Sequence, residues 1–243
     1  MKRVIALPGV AIYKGSAQKV DEKIFRDSRG YVPTIVGVAQ ISGRNIDFIP
    51  YKDTYRPVKG DYVIGVVVGY APNGWFIDIG SYVKAFLPAA DVLNKRFDPR
   101  KDELSRYLKI GDIVGLYVSE VRRLGNILVT MKDVKKAKDR RVGRLSDYYM
   151  IKVWSTKLPR IIGKKGSMVK LLKERLGGDI IIAQNGVILY KGPYEKFVIL
   201  NKIITFITAK TFATGLTEYI NGLINDMLGT EDRNQDVEGK EGS

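Results

Sequence analysis

Two groups of residues in this 243-residue chain are suited to holding a polyanion. The first is Ile161-Ile162-Gly163-Lys164-Lys165-Gly166-Ser167-Met168-Val169. Gly163 and Gly166 let the backbone approach a sugar-phosphate chain closely, and Lys164 and Lys165 place positive charge between them. A helix opening at Ser167 would add its unpaired N–H groups. The second group is Phe76, Lys84 and Phe86. In strands, period-two alternation puts Trp75, Ile77 and Ile79 on one face and Phe76 and Asp78 on the other, and it separates Ala85 and Leu87 from Lys84 and Phe86. Exposed rings stack on bases for about 1–3 kcal/mol each, while ammonium groups neutralise the phosphates alongside. Arg122 and Arg123, beside a following hairpin, extend the basic track. For either ring alone, packing beneath residues 91–108 competes evenly with exposure. The two rings together, beside Lys84, favour a platform for a single strand.

Other chemistry is excluded by residue type. The chain has no cysteine and no histidine, which removes disulfides, thiolate and imidazole metal sites and every relay built on a histidine base. GxxxxGK[ST] is nowhere satisfied, so nucleotide hydrolysis has no support. Asp98, Asp102 and Glu103 lie among Arg96, Arg100, Lys101 and Arg106 and read as a solvated surface rather than a metal-binding carboxylate cluster. No catalytic residue, metal ligand or cofactor site is expected.

Charge agrees with a polyanion partner. The net charge is +15 with a pI of about 9.7, and the last thirteen residues hold five acids and two bases, so the body is more basic than the whole. Solubility alone is the competing explanation of that charge. The opening Met1-Lys2-Arg3-Val4-Ile5-Ala6-Leu7-Pro8-Gly9 is too short an apolar run for a leader, and no run reaches 18 apolar residues. A cytoplasmic protein without membrane attachment is expected.

The elements that must position these residues fall into three stretches, giving a multidomain fold, β-rich plus α/β. Residues 1–56 read as a small N-terminal β domain, with a strand over Val32–Ile41, a turn at Ser42-Gly43-Arg44-Asn45 and a strand over Ile46–Ile49. Residues 57–134 contain five strands, Tyr62–Val68, Trp75–Ile79, Lys84–Leu87, Ile113–Val121 and Ile127–Met131, as in a closed OB-type β-barrel. Asp91–Leu108 can hold a short helix. A basic connector, Lys132 to Arg141, precedes an α+β domain over residues 145–229. That domain has strands at Tyr149–Val153, Asp179–Ala183 and Gly186–Tyr190, and helices at Ser167–Leu176, Tyr194–Phe212 and Thr217–Leu228. A GxxG loop placed between helices in this order points to a KH domain. Residues 230–243, acidic and poor in apolar residues, read as a disordered tail.

Gly74-Trp75-Phe76-Ile77-Asp78-Ile79-Gly80 and Ala85-Phe86-Leu87-Pro88 resemble the S1 RNA-binding domain, and Ile162-Gly163-Lys164-Lys165-Gly166 resembles the KH domain. A small β domain, then S1, then one KH resembles the RNA-binding cap subunits of the archaeal exosome, of the ribosomal RNA-processing protein four type. Pro8-Gly9 and the run from Tyr55 to Gly65 fit that family, and the likeness covers about residues 1–228. The resemblance implies a non-catalytic subunit in three copies on a hexameric ring of RNase PH-like proteins. Its N-terminal domain would dock on the ring, and it would bind single-stranded RNA and lead the 3′ end to phosphorolytic sites inside. Pro88 stands where many S1 domains carry a histidine, so contacts there must differ. An S1/KH transcription or translation factor acting on structured RNA is the alternative, although such factors carry two KH copies. A phosphorolytic exoribonuclease is disfavoured, because its modules follow catalytic domains in the reverse order.

Overall fold

The computed structural model describes residues 2–93, 97–98, 100–122, 125–132, 141–209, 220, 222 and 224. It divides into two compact units, Met1–Thr54 with Trp154–Thr156, and Tyr55–Val153 with Lys157–Ser243.

In the first unit, β1 (Lys2–Ala6), β2 (Lys19–Val20), β3 (Ile24–Asp27), β4 (Gly30–Pro33), β5 (Gly37–Ser42) and β6 (Asn45–Pro50) form a sheet of order β1-β5-β6-β2 and a separate β3-β4 hairpin. Alternation along β6 buries Ile46 and Phe48 against Ala6, Ala39 and Tyr31 and exposes Asn45, Asp47 and Ile49. The expected continuous strand Val32–Ile41 is broken in two. Thr34 adds one more rung to the β3–β4 register, donating to the Lys23 carbonyl from both N (2.8 Å) and Oγ1 (2.9 Å), and the chain then bends over residues 34–36 before β5 joins the other sheet. Within this unit Lys52 Nζ lies 5.8 Å from the Trp154 ring centroid.

The second unit begins with a closed barrel of β7 (Tyr62–Ala71), β8 (Gly74–Asp78), β9 (Ala85–Pro88), β10 (Ile113–Val121) and β11 (Ile127–Thr130). Pairings run β7–β8, β8–β9, β9–β11, β11–β10 and β10–β7, so no strand edge is left free around the ring. Helix α1 (Ala89–Leu93) and a 3-10 turn at Leu104–Arg106 occupy the expected helical segment. Trp75 is fully buried at the centre with Val63, Ile77, Leu87, Leu116 and Val129, and its Nε1 donates to Leu108 O at 3.2 Å. That bond ties the 91–108 segment to the barrel, and burial of the indole stabilises the fold by on the order of 4 kcal/mol. A further strand, β12 (Gly143–Leu145), pairs with Ile113–Gly115 of β10 and was not expected from its sequence.

The α+β part follows with β13 (Tyr149–Lys152), α2 (Leu158–Ile162), α3 (Ser167–Leu176), β14 (Asp179–Ile182), β15 (Val187–Lys191) and α4 (Tyr194–Ala209). Its sheet has the order β13-β15-β14, all antiparallel. Met168, Leu172 and Leu176 recur every four residues on α3 and pack against Ile188, Leu200 and Ile204. Of the last expected helix, Ile220, Gly222 and Ile224 are described and helical, with both isoleucines buried. The acidic tail, and residues 133–140 of the connector, lie outside the described residues.

Barrel and α+β part share a core, in which Tyr62, Ile64 and Tyr117 meet Ile181, Val187 and Leu189. At the joint, the Asn185 side chain is only 8% exposed. Ile64 N donates to its Oδ1 (3.3 Å), and its Nδ2 donates to Ile64 O (2.7 Å) and Ile79 O (2.9 Å), while Gln184 N donates to Tyr62 O (2.9 Å). The β7–β8 ladder begins only at Val66, so Asn185 takes the place of a strand for the backbone groups of Ile64. Among the described residues no helix is long and apolar enough to cross a membrane.

Candidate nucleic-acid interface

Strands β8 and β9 bring the two expected rings together. Phe76 and Phe86 are direct partners in the antiparallel register, with ring centroids 6.1 Å apart in an edge-to-face arrangement. Phe76 is 42% exposed and Phe86 is half-buried, so the pair stands on the outer face while Trp75, Ile77, Ala85 and Leu87 fill the barrel. Gly74 makes room for the second ring, since a Cβ there would come within 2.9 Å of Phe86 Cζ.

The cations around the rings are only partly available. Lys84, one residue ahead of β9, places Nζ 2.8 Å from Asp78 Oδ2. That hydrogen-bonded ammonium holds the Asp78 carboxyl below the usual carboxylate range, helped by the Gly80 N–H, so the carboxylate stays ionised at neutral pH. Arg122 likewise pairs with Glu120 at 3.1 Å. Arg123 lies outside the described residues. The Glu103 carboxylate accepts from Ser105 Oγ (2.6 Å) and Arg106 Nε (3.0 Å) at an exposed turn, in keeping with a solvated segment. Among the described residues no group of acidic side chains is arranged to hold a metal ion.

The glycine-lysine loop joins α2 to α3. Gly163 has φ +76° and ψ 173°, and a Cβ there would also meet the Met168 backbone N at 2.9 Å, so this position requires glycine on both counts. Gly166 has φ +80°, and Lys165, at φ +53°, carries a side chain in the left-handed region. Lys164 and Lys165 are exposed, and neither has an ion pair among the described residues. No side chain caps the start of α3 and its first turn has no acid, while the Ser167 N–H donates back to Lys164 O within the loop, so the loop's two ammoniums stand beside an uncapped, acid-free helix start.

Beside the loop lies a cleft of about 430 Å³, lined by Ile162, Gly166, Val169, Lys170, Lys173, Glu174 and the strand Ile180–Ile182. Strand β14 is an edge strand, so its outward backbone groups border a floor of isoleucine and valine, with Lys173 and the Lys170–Glu174 ion pair (3.8 Å) on the rim. Sequence reasoning missed this cleft. The available signal was Lys170 and Lys173, three residues apart on the face of α3 opposite Met168 and Leu172.

Residues 56–132 match the S1 RNA binding domain. Over 228 residues the chain is 33% identical to exosome complex component Rrp4 of Pyrobaculum aerophilum, covering 92% of this chain and 93% of that one. The chain belongs to the Rrp4 family of exosome complex components. Rrp4 of Thermoplasma volcanium is 31% identical over 232 residues, covering 95% and 94% of the two chains. A solved crystal structure, provisionally described as an exosome complex RNA-binding protein, superposes with a TM-score of 0.68 at 29% identity, over 74% of this chain and 99% of that one. The Phe76–Phe86 pair thus stands on the barrel of an S1 domain within an Rrp4-type chain.

Proposed function

We propose that this Rrp4-family chain is a non-catalytic RNA-binding component of the exosome. It caps a hexameric ring of RNase PH-like subunits, in three copies, and leads the 3′ end of single-stranded RNA toward phosphorolytic sites in the ring. The observation that carries the reading is the exposed cross-strand pair Phe76–Phe86 on an S1 barrel, a stacking surface that unpaired bases fit and a duplex does not. The α+β part supports a second contact. Its element order, its β13-β15-β14 sheet and the Gly163–Gly166 loop beside an apolar cleft suit a KH domain, which clamps a short stretch of single-stranded backbone.

The first unit supplies a surface for the ring. Ile5 opposes Val38, which opposes Ile49, on the face of the sheet turned away from Ile46 and Phe48. Ile5 is 66% exposed, and Leu7, Val36 and Tyr51 continue the same apolar face at the strand ends. An apolar face of this kind fits a stable protein partner. The test is co-elution of the full chain with an RNase PH-like ring on size exclusion, with and without Ile5→Lys and Ile49→Lys. Co-elution lost only in the double variant supports the ring-docking reading, and co-elution unchanged in that variant overturns the assignment of this face.

A further inference from the structure

The lysine beside the barrel's rings, Lys84, is matched by Asp78 at 2.8 Å. A face that draws RNA phosphate needs an uncompensated cation, and the α+β part provides one. Along β13, Met150 packs into the core shared with Tyr62 and Ile64. Lys152 stands two residues further on the same strand and therefore projects on the same, barrel-facing side. In register it opposes Val187, which is buried in that shared core. Two bonds link this end of the strand, through the turn before β15, to the residue that follows β8. Val153 N donates to Gly186 O (2.9 Å), and the neighbouring Asn185 Nδ2 donates to Ile79 O (2.9 Å), the residue following Asp78. Lys152 is exposed and has no ion pair among the described residues. Its charge reaches Asp78, whose carboxyl it helps hold in the ionised form after the larger effects of Lys84 and the Gly80 N–H.

We propose that Lys152 is the phosphate-binding cation of the barrel's stacking face, so that the S1 barrel and the following α+β part form one composite site for single-stranded RNA. Two lysines around one carboxylate leave a net positive charge beside Phe76 and Phe86, and that charge comes from outside the S1 domain. Recognition of phosphate by a point charge requires no sequence preference, whereas the rings select for unstacked bases. An isolated S1 segment ending at residue 132 lacks this cation.

This inference rests on the barrel face being an RNA site, and the experiment separates the two. Fluorescence anisotropy with a labelled single-stranded oligonucleotide is recorded for the full chain, Lys152→Gln, Lys152→Arg and the Phe76→Ala/Phe86→Ala double variant across a salt series. Thermal unfolding of each variant is measured in parallel. Lys152→Gln is expected to weaken binding about 3- to 10-fold and to reduce the slope of log K against log salt by about 0.7, the share of one phosphate contact on a single strand. Lys152→Arg should restore both, and the unfolding midpoint should stay unchanged, because Lys152 is exposed. If the double phenylalanine variant binds weakly while Lys152→Gln keeps the parent affinity and slope, the composite site is overturned and the stacking face stands. If neither variant differs from the parent, both are overturned.

Discussion

Removing the Asn185 carboxamide should loosen the joint between barrel and α+β part. In Asn185→Ala the Ile64 N–H and the carbonyls of Ile64 and Ile79 lose their partner at a position 8% exposed, where water has little access. Backbone bonds along β7 alternate in direction. On the β10 side, Asp61 O accepts from Val118 N, and Val67 donates to Asp112 O and accepts from Gly111 N, so the groups of Ile64 point the other way, past the start of the β8 ladder. One bond is long at 3.3 Å, and two are short. Leaving buried groups unpaired costs about 1–3 kcal/mol each where no water replaces the partner, and partial relaxation brings the sum to about 3 kcal/mol. For a chain of this size that lowers the thermal midpoint by roughly 6–12 °C. Calorimetry of the full chain, beside Asn45→Ala at an exposed hairpin turn as control, reads the difference. A midpoint for Asn185→Ala within a degree of the parent would refute the claim that this side chain completes the barrel's hydrogen bonding.

Further outcomes are expected. Phe76→Ala with Phe86→Ala should weaken single-stranded RNA binding about 10- to 100-fold and duplex binding much less, in anisotropy titrations of both ligands; equal losses would sink the stacking assignment. Asp78→Asn should strengthen single-strand binding about 2- to 5-fold and steepen its salt dependence, since Lys84 is then released to phosphate; weaker binding would show that Asp78 itself contacts RNA. Lys164→Asp with Lys165→Asp should lower affinity and flatten the salt slope, and an unchanged slope would mean that the loop does not touch RNA. Gly163→Ala should destabilise the chain by about 1–2 kcal/mol in urea titrations, because its φ of +76° and the nearby Met168 N both oppose a Cβ.

The barrel was legible in the sequence because alternation is a local signal. Trp75 and Ile77 against Phe76 and Asp78 is enough to assign both a strand and its faces, and the same holds for Ala85 and Leu87. Helix α3 was equally legible, since Gly166 precedes it, Gly177 follows it, and Met168, Leu172 and Leu176 share one face. Strand β12 was not, because Gly143-Arg144-Leu145 is too short to show a period and exists only where Ile113–Gly115 offers a partner. Asn185-Gly186 announced a turn, and Gly186 does take φ +82°, yet nothing local tells that the asparagine side chain enters a neighbouring domain. The same limit applies to charge. Lys84 was identified as a binding cation from its place beside Phe86, but its pairing with Asp78 depends on how β8 and β9 lie together.

The central claim is that the chain binds single-stranded RNA without cutting it, leaving catalysis to a partner ring. The most direct measurement incubates the full chain with end-labelled single-stranded RNA, Mg²⁺ and inorganic phosphate, and resolves the same samples on native and denaturing gels. A shifted band whose RNA stays full length, and shortens only when an RNase PH-like ring is added, is the predicted result. Progressive shortening that scales with the chain alone would contradict it.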